Sequence, residues 1–474
     1  MGRPGKSDEE NRMTAAVRTV FAFAGATLAA ATLMIAMAGT AQAAPRVMTI
    51  DGFKAPGTPA RYNKVKVLKQ GPKKAKKVLV LVPGTSAGAS NFKPLANGLL
   101  AGLGGKWQIW SIERRENLLE DHSALERYVD GEITNLEMFN YYLGWILDPS
   151  VSPHYEPPTA EATSFARSWG MNVAVQDIKR VVNLANKGGR SVVLGGHSLG
   201  GSITTAYATW DFNGRAGAKD LDGLVFIDGA GGGRDVPSAE DAQANLDSLA
   251  AQSSPFITLV PPFPWAAGVF NAMGSTAALK EPDERSTVQS SPLLPPSLKP
   301  PVSSTNLAQY GYAVDADTGP ENLRLVQSHI GSLAESGDPR GWQNGELGTA
   351  TRAARVFSEV DGMDGTSWFH PARLSTDAGA VDNGIANDAQ TVYGIKTTKG
   401  RAVKLPMYAF DAELGGGRVA EATRALAKQS GVPMRKVRTV NRSKTYAHID
   451  PLSALPSKND FIKTLIPFLK KQIK

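Results

Sequence analysis

The sequence predicts an α/β protein built on a mostly parallel, doubly wound sheet. Three observations carry that prediction. Val78-Leu79-Val80-Leu81-Val82 is an unbroken aliphatic run ended by Pro83-Gly84, the pattern of a central parallel strand buried on both faces. Further short apolar runs alternate along the chain with helical or irregular pieces, which is the layout of strand–crossover–strand units. Gly196-His197-Ser198-Leu199-Gly200-Gly201 sits between an apolar run (191–195) and a segment of helical character (202–211). A serine on a tight strand-to-helix turn needs near-absent side chains two residues either side of it, hence Gly196 and Gly200. Gly201 lets the following helix approach the sheet.

The elements follow in chain order. Residues 46–50 and 65–68 alternate in polarity and are separated by Gly and Pro, so they read as leading, antiparallel strands. Strands are then expected at 78–82, 108–112, 192–194, 224–227, 407–410 and 437–440. The last segment, from Asp460 to Ile473, places Phe461, Leu465, Phe468 and Leu469 on one helical face, with Ser457 as its expected cap. Two intervals are too long for simple crossovers, at about 117–170 and about 231–400. The second, with its Pro-rich 261–265 and 292–296 stretches, reads as a large cap inserted between two sheet strands. Residues 44–474 are expected to form one domain.

Composition narrows the function classes. The chain has no cysteine, which excludes disulfides, thiolate metal sites and a cysteine nucleophile. The net charge is +8, but the basic residues are scattered apart from 73–77 and the last turn near Lys470-Lys471, a pattern of solvated faces rather than a nucleic-acid stripe. A weak attraction to anionic or lipid surfaces fits that charge. At the N-terminus, Arg18 leads into an apolar stretch from Val20 to Ala38, followed by the small-x-small site Ala41-Gln42-Ala43. Residues 1–43 therefore read as a signal peptide, with a secreted mature chain starting at Ala44. The alternative is a membrane-anchored protein that keeps this segment.

From residues 76–116, 173–231 and 405 to the end, the chain resembles the α/β-hydrolase fold, and the turn around Ser198 is similar to that of secreted lipases and esterases. The resemblance implies a nucleophile elbow and the chain order serine, acid, histidine. Ser198 is the expected nucleophile. His448 is the expected general base, because it alone of the six histidines follows the last strand and precedes the closing helix. His197 adjoins Ser198 on a tight turn and must point away from it. It is expected to pack or bind backbone instead. His122, His154, His329 and His370 fall in the inserted intervals. The acid is expected just past the penultimate strand, at Asp411, with Glu413 as the alternative and Asp228 as a third candidate. The oxyanion hole is expected from the backbone N–H groups of Leu199 and Thr85, with Ser86 as fallback. Relatives often carry His-Gly-x in that loop, where this chain has Pro83-Gly84-Thr85-Ser86. The implied activity is a carboxylic ester hydrolase working through an acyl-enzyme on a small-molecule or lipid ester. No metal, organic cofactor, nucleic acid or protein partner is expected. An amidase or peptidase with the same residues, or a non-catalytic binding protein retaining the fold, are the alternatives.

Overall fold

The computed structural model describes residues 44–358 and 363–474. The expected export segment, 1–43, lies outside the described residues. No helix among the described residues is long and apolar enough to cross a membrane.

Among the described residues twelve strands are formed: β1 Arg46–Asp51, β2 Lys64–Gln70, β3 Lys77–Val82, β4 Trp107–Glu113, β5 Ser191–His197, β6 Asp211–Phe212, β7 Arg215–Ala216, β8 Gly223–Ile227, β9 Gly331–Gly337, β10 Arg340–Asn344, β11 Met407–Asp411 and β12 Val437–Asn441. Eight of them make one sheet in the order β1-β2-β4-β3-β5-β8-β11-β12. β1 and β2 are antiparallel, β2 is antiparallel to β4, and every other pairing is parallel. All eight strands expected from the sequence are present, most of them a residue or two longer at their ends. β6 with β7, and β9 with β10, form two small antiparallel hairpins away from the sheet.

Period-two alternation divides the sheet's side chains between two cores. Val78, Val80, Val82, Val192, Leu194, Leu224 and Phe226 meet the helices Met171–Ala185 and Leu199–Thr209 on one face. Leu79, Leu81, Val193, Val225 and Ile227 meet the helices Lys93–Leu103 and Asp460–Gln472 on the other. The closing helix is capped by Asn459, whose side chain accepts from Ile462 N–H at 3.0 Å, and not by the expected Ser457. The strand order reverses between β3 and β5, so the loops leaving their C-terminal ends diverge and leave a crevice there.

The inserted segment between β8 and β11 does more than cover that crevice. Its helix Ala350–Phe357 enters the core against Leu79, Leu81 and Phe92. Its helices Ala372–Ala378 and Asp388–Tyr393 join the opposite face. Phe256, Trp265, Val269 and Trp368 from this segment pack with Leu125, Tyr128, Tyr142 and Tyr155 from the 117–170 interval, giving a third core shared by the two insertions. Pro45–Lys474 form one compact unit.

Candidate active site

Ser198 stands between β5 and the helix Leu199–Thr209 with φ 55° and ψ −127°, a backbone conformation that costs a non-glycine residue on the order of 1–3 kcal/mol. The surroundings impose it. A Cβ at Gly196 would lie 2.0 Å from Gly200 O, and one at Gly201 would lie 1.8 Å from Gly229 O. Only hydrogen fits at either position, so the turn closes tightly and the helix lies against the turn after β8. Ser198 N–H donates to Ile227 O at 2.9 Å, which joins the serine to the end of β8.

Asp228 follows Ile227 and adopts φ 46°. Its carboxylate is fully buried. Oδ1 accepts the N–H groups of Ala412 (2.7 Å) and Gly415 (2.8 Å), and Oδ2 accepts His448 Nδ1–H at 2.6 Å. Burial pushes this carboxyl up, but the His448 hydrogen bond, the His448 charge and the Ala412 amide outweigh it and hold it below the usual carboxylate range. A carboxylate partner on Nδ1 makes that nitrogen the donor, which leaves His448 Nε2 as an acceptor.

His448 is 2 % exposed. His197 packs on it, with ring centroids 4.3 Å apart, and donates Nε2–H to the His448 carbonyl at 2.9 Å. This is the packing and backbone-binding place expected of His197. Burial, with the His448 charge, lowers its pKa to about 3, so it stays neutral. The loop carrying His448 is tied down through Asp450, which accepts Ala447 N–H (2.7 Å), Ser328 Oγ–H (2.7 Å), His329 N–H (2.8 Å) and His329 Nδ1–H (2.6 Å). The Asp450 hydrogen bond raises the pKa of His329 despite its partial burial.

The two acids expected from the sequence are engaged elsewhere. Asp411 ends β11, next to β8, but its oxygens accept Val419 N–H (2.9 Å) and Ala420 N–H (3.1 Å) at the start of the helix Arg418–Ser430. It caps a helix and makes no hydrogen bond to His448. Glu413 turns outward, with its carboxylate 3.5 Å from Arg324 Nε, and only its backbone N–H reaches the histidine loop, at Tyr446 O. The partner of His448 is Asp228, the third candidate.

The loop after β3 faces Ser198. A Cβ at Gly84 would sit 2.8 Å from Ser198 Cβ and 3.4 Å from Ser198 Oγ, so glycine leaves the space in front of the hydroxyl open. Ser86 N–H, the fallback donor, is spent on His370 Nδ1 at 3.2 Å. The N–H groups of Thr85 and Leu199 are engaged by no protein acceptor among the described residues. Arg114, at the end of β4, donates to the carbonyls of Pro83, Gly84 and Ala87. Arg114 was not singled out from the sequence, and His370 was placed there only as a histidine of an inserted interval.

Glu120, His122 and Asp364 bring one potential ligand atom each to within 4.8 Å of one another. Their carboxylates already have protein donors. Glu120 accepts from Trp368 N–H, Asn117 and His122, and Asp364 accepts from Thr366 and from Trp368 Nε1–H. Burial, followed by the Glu120 charge, pushes Asp364 up to about 7.

The strand order, with a serine elbow after β5 and a histidine loop after β12, is that of the α/β-hydrolase fold. No protein-family model matches the chain, and no curated protein matches it. Among solved structures, a candidate lipase from Sulfolobus solfataricus is similar over 90% of this chain and 94% of its own, at 15% identity and a TM-score of 0.48. The thioesterase domain from the curacin biosynthetic pathway is similar over 90% and 100%, at 13% identity and a TM-score of 0.41. A monoglyceride lipase from Saccharomyces cerevisiae is similar over 91% and 96%, at 10% identity and a TM-score of 0.38. The strand order and the elbow, not these similarities, carry the fold assignment.

Proposed function

We propose that this protein is a serine hydrolase that cleaves carboxylic esters. The observation that supports this most is the buried Asp228–His448 hydrogen bond at 2.6 Å, beside a strained elbow whose serine is bonded to the residue preceding that aspartate. In this reading His448 Nε2 takes the Ser198 proton as Oγ attacks the ester carbonyl. Asp228 keeps the Nδ1–H tautomer in place and stabilises the imidazolium that forms. The Thr85 and Leu199 amides hold the tetrahedral oxyanion. Collapse expels the alcohol with the proton from His448. Water, deprotonated by the same nitrogen, then releases the acid and restores Ser198.

An apolar acyl group suits the aromatic character of the insertion, whose Phe263 and Phe270 are only partly buried. Export of the mature chain from Ala44 is part of the same proposal, on the strength of the N-terminal pattern, and N-terminal sequencing of protein recovered from culture medium tests it. For the reaction, a fluorophosphonate probe is expected to label the folded protein at Ser198. Ser198→Ala is expected to abolish both labelling and the hydrolysis of short and medium p-nitrophenyl esters. Unchanged turnover in that variant would reject Ser198 as nucleophile.

A further inference from the structure

Arg114 is a charged residue held 7 % exposed at the C-terminal end of β4, directly beside the loop that follows β3. Its guanidinium points into that loop. Nη1 donates to Pro83 O at 2.8 Å, and Nη2 to Gly84 O at 3.0 Å and Ala87 O at 3.3 Å. Nε donates to Glu116 Oε1 at 2.6 Å, which sets the plane of the fork. The far side of the loop is held as well. Ser86, at φ 49°, donates its N–H to His370 Nδ1 and accepts Ser367 N–H at 2.9 Å, and Gly88 N–H donates to Gly365 O at 3.1 Å.

The geometry of one peptide bond turns these contacts into a statement about the site. In a trans peptide the C=O and N–H point in opposite directions across a rigid plane. Gly84 C=O and Thr85 N–H belong to the same plane, and this bond is not among the cis peptides of the chain. Once Gly84 O is bound to Arg114, Thr85 N–H must point away from Arg114. Gly84 is also the residue whose missing side chain faces Ser198 Oγ. The carbonyls on either side of the Gly84 Cα, those of Pro83 and Gly84, are both held by the same rigid fork, so the plane cannot rotate about one anchored end.

We infer that Arg114 is a positioning residue for the oxyanion hole, its guanidinium fixing the Gly84–Thr85 peptide plane so that Thr85 N–H meets the substrate oxygen. This rests on the serine hydrolase reading above. Arg114 touches no reacting atom; it acts through the loop backbone. A lysine cannot replace it, because a point charge does not hold two neighbouring carbonyls in a fixed plane.

The test compares an ester with the corresponding thionoester, in which the carbonyl oxygen is sulfur, in wild type, Arg114→Met and Arg114→Lys. Active sites are titrated with a fluorophosphonate, so the misfolded fraction cancels from each ratio. A rigid donor pair set for oxygen discriminates strongly against the larger, weakly accepting sulfur, and a loosened one does not. Arg114→Met is expected to lose about 10²-fold in kcat on the ester with KM little changed, the size of losing one oxyanion donor. Its ester-to-thionoester ratio of kcat/KM is expected to fall by about tenfold, with Arg114→Lys in between. A ratio equal to wild type in whichever variant is soluble would overturn the role of Arg114, whatever the loss of total activity. Failure of the serine hydrolase reading is seen separately, as a wild-type protein that the probe does not label at Ser198.

Discussion

Asp228→Asn separates the two acids more sharply than any other substitution, because the neighbouring backbone decides how the asparagine sits. Oδ1 of Asp228 receives two N–H groups, from Ala412 and Gly415. Asparagine must keep its carbonyl oxygen there, since the reverse orientation would set its NH2 against two donors. Its NH2 then faces His448 Nδ1, which must become an acceptor. The imidazole proton moves to Nε2, the nitrogen that has to accept from Ser198, so the base carries its proton in the wrong place. A wrong tautomer with intact geometry costs about 10⁴-fold in kcat, or about 5 kcal/mol of transition-state stabilisation. The fold changes little, because the two backbone hydrogen bonds survive. Asp411→Asn is the control. It removes one acceptor at the start of the helix Arg418–Ser430 and is expected to cost about 1 kcal/mol of stability, with kcat within about threefold of wild type. The assay is hydrolysis of p-nitrophenyl butyrate, with thermal melts recorded on the same samples. An Asp228→Asn variant that keeps a tenth or more of wild-type kcat, or a folded Asp411→Asn that shows the loss of about 10⁴-fold instead, would refute the role given to Asp228.

Three further outcomes follow from the same contacts. His197 titrates near 3 when folded, against 6.5 for an ordinary histidine, so between those values the unfolded chain binds a proton that the folded one does not. Its contribution is present above 6.5 and is lost as pH falls; at pH 5 the loss is about 2 kcal/mol relative to pH 7, and His197→Gln should melt with that much less acid sensitivity in parallel denaturant titrations. Gly201→Ala drives a methyl group into Gly229 O, 1.8 Å away, and is expected to destabilise the fold by on the order of 3 kcal/mol or more; a melting temperature equal to wild type would show that the elbow relaxes around it. Asn459→Ala removes the cap of the closing helix and should lower stability by about 1 kcal/mol without changing kcat, whereas Ser457→Ala should change neither, as chemical denaturation and initial rates would show.

The central strands were legible because they are buried on both faces and therefore read as short apolar runs, β3 most clearly, whereas β1 and β2 showed as alternating segments. The elbow was legible because close backbone approach leaves glycine as the residue that fits. His448 was placed by chain order. The carboxylate partner of His448 was not legible for a physical reason: β8 and β11 are adjacent parallel strands that both run into an aspartate, and chain order cannot say which of the two the histidine loop lies over. That choice is made by the left-handed turn at Asp228 and by the Gly415-Gly416-Gly417 stretch, which brings a new helix N-terminus down onto Asp411. A helix beginning at Arg418 without a capping side chain of its own was the available signal that Asp411 had other employment. Arg114 was illegible for the opposite reason. Glu113-Arg114-Arg115-Glu116 has the composition of a solvated turn, yet all four are buried, because the loop after β3 and the inserted segment close over the end of β4.

That closure bears on what the insertion is for. Two of its short pieces hold opposite sides of the site. Gln327 O accepts Ile449 N–H and Ser328 and His329 donate to Asp450, which fixes the histidine loop. Ser367 and His370 bind Ser86, which fixes the loop that faces the serine. The sheet supplies the two strand ends that carry Ser198 and Asp228, but the histidine loop and the loop after β3 are clamped by residues more than a hundred positions away in sequence from the elements they hold. The insertion is therefore part of the frame that holds the histidine loop and the loop facing Ser198 in place. A substitution in the 327–329 or 367–370 stretch that alters substrate preference should for that reason alter turnover too, because both properties pass through the same hydrogen bonds.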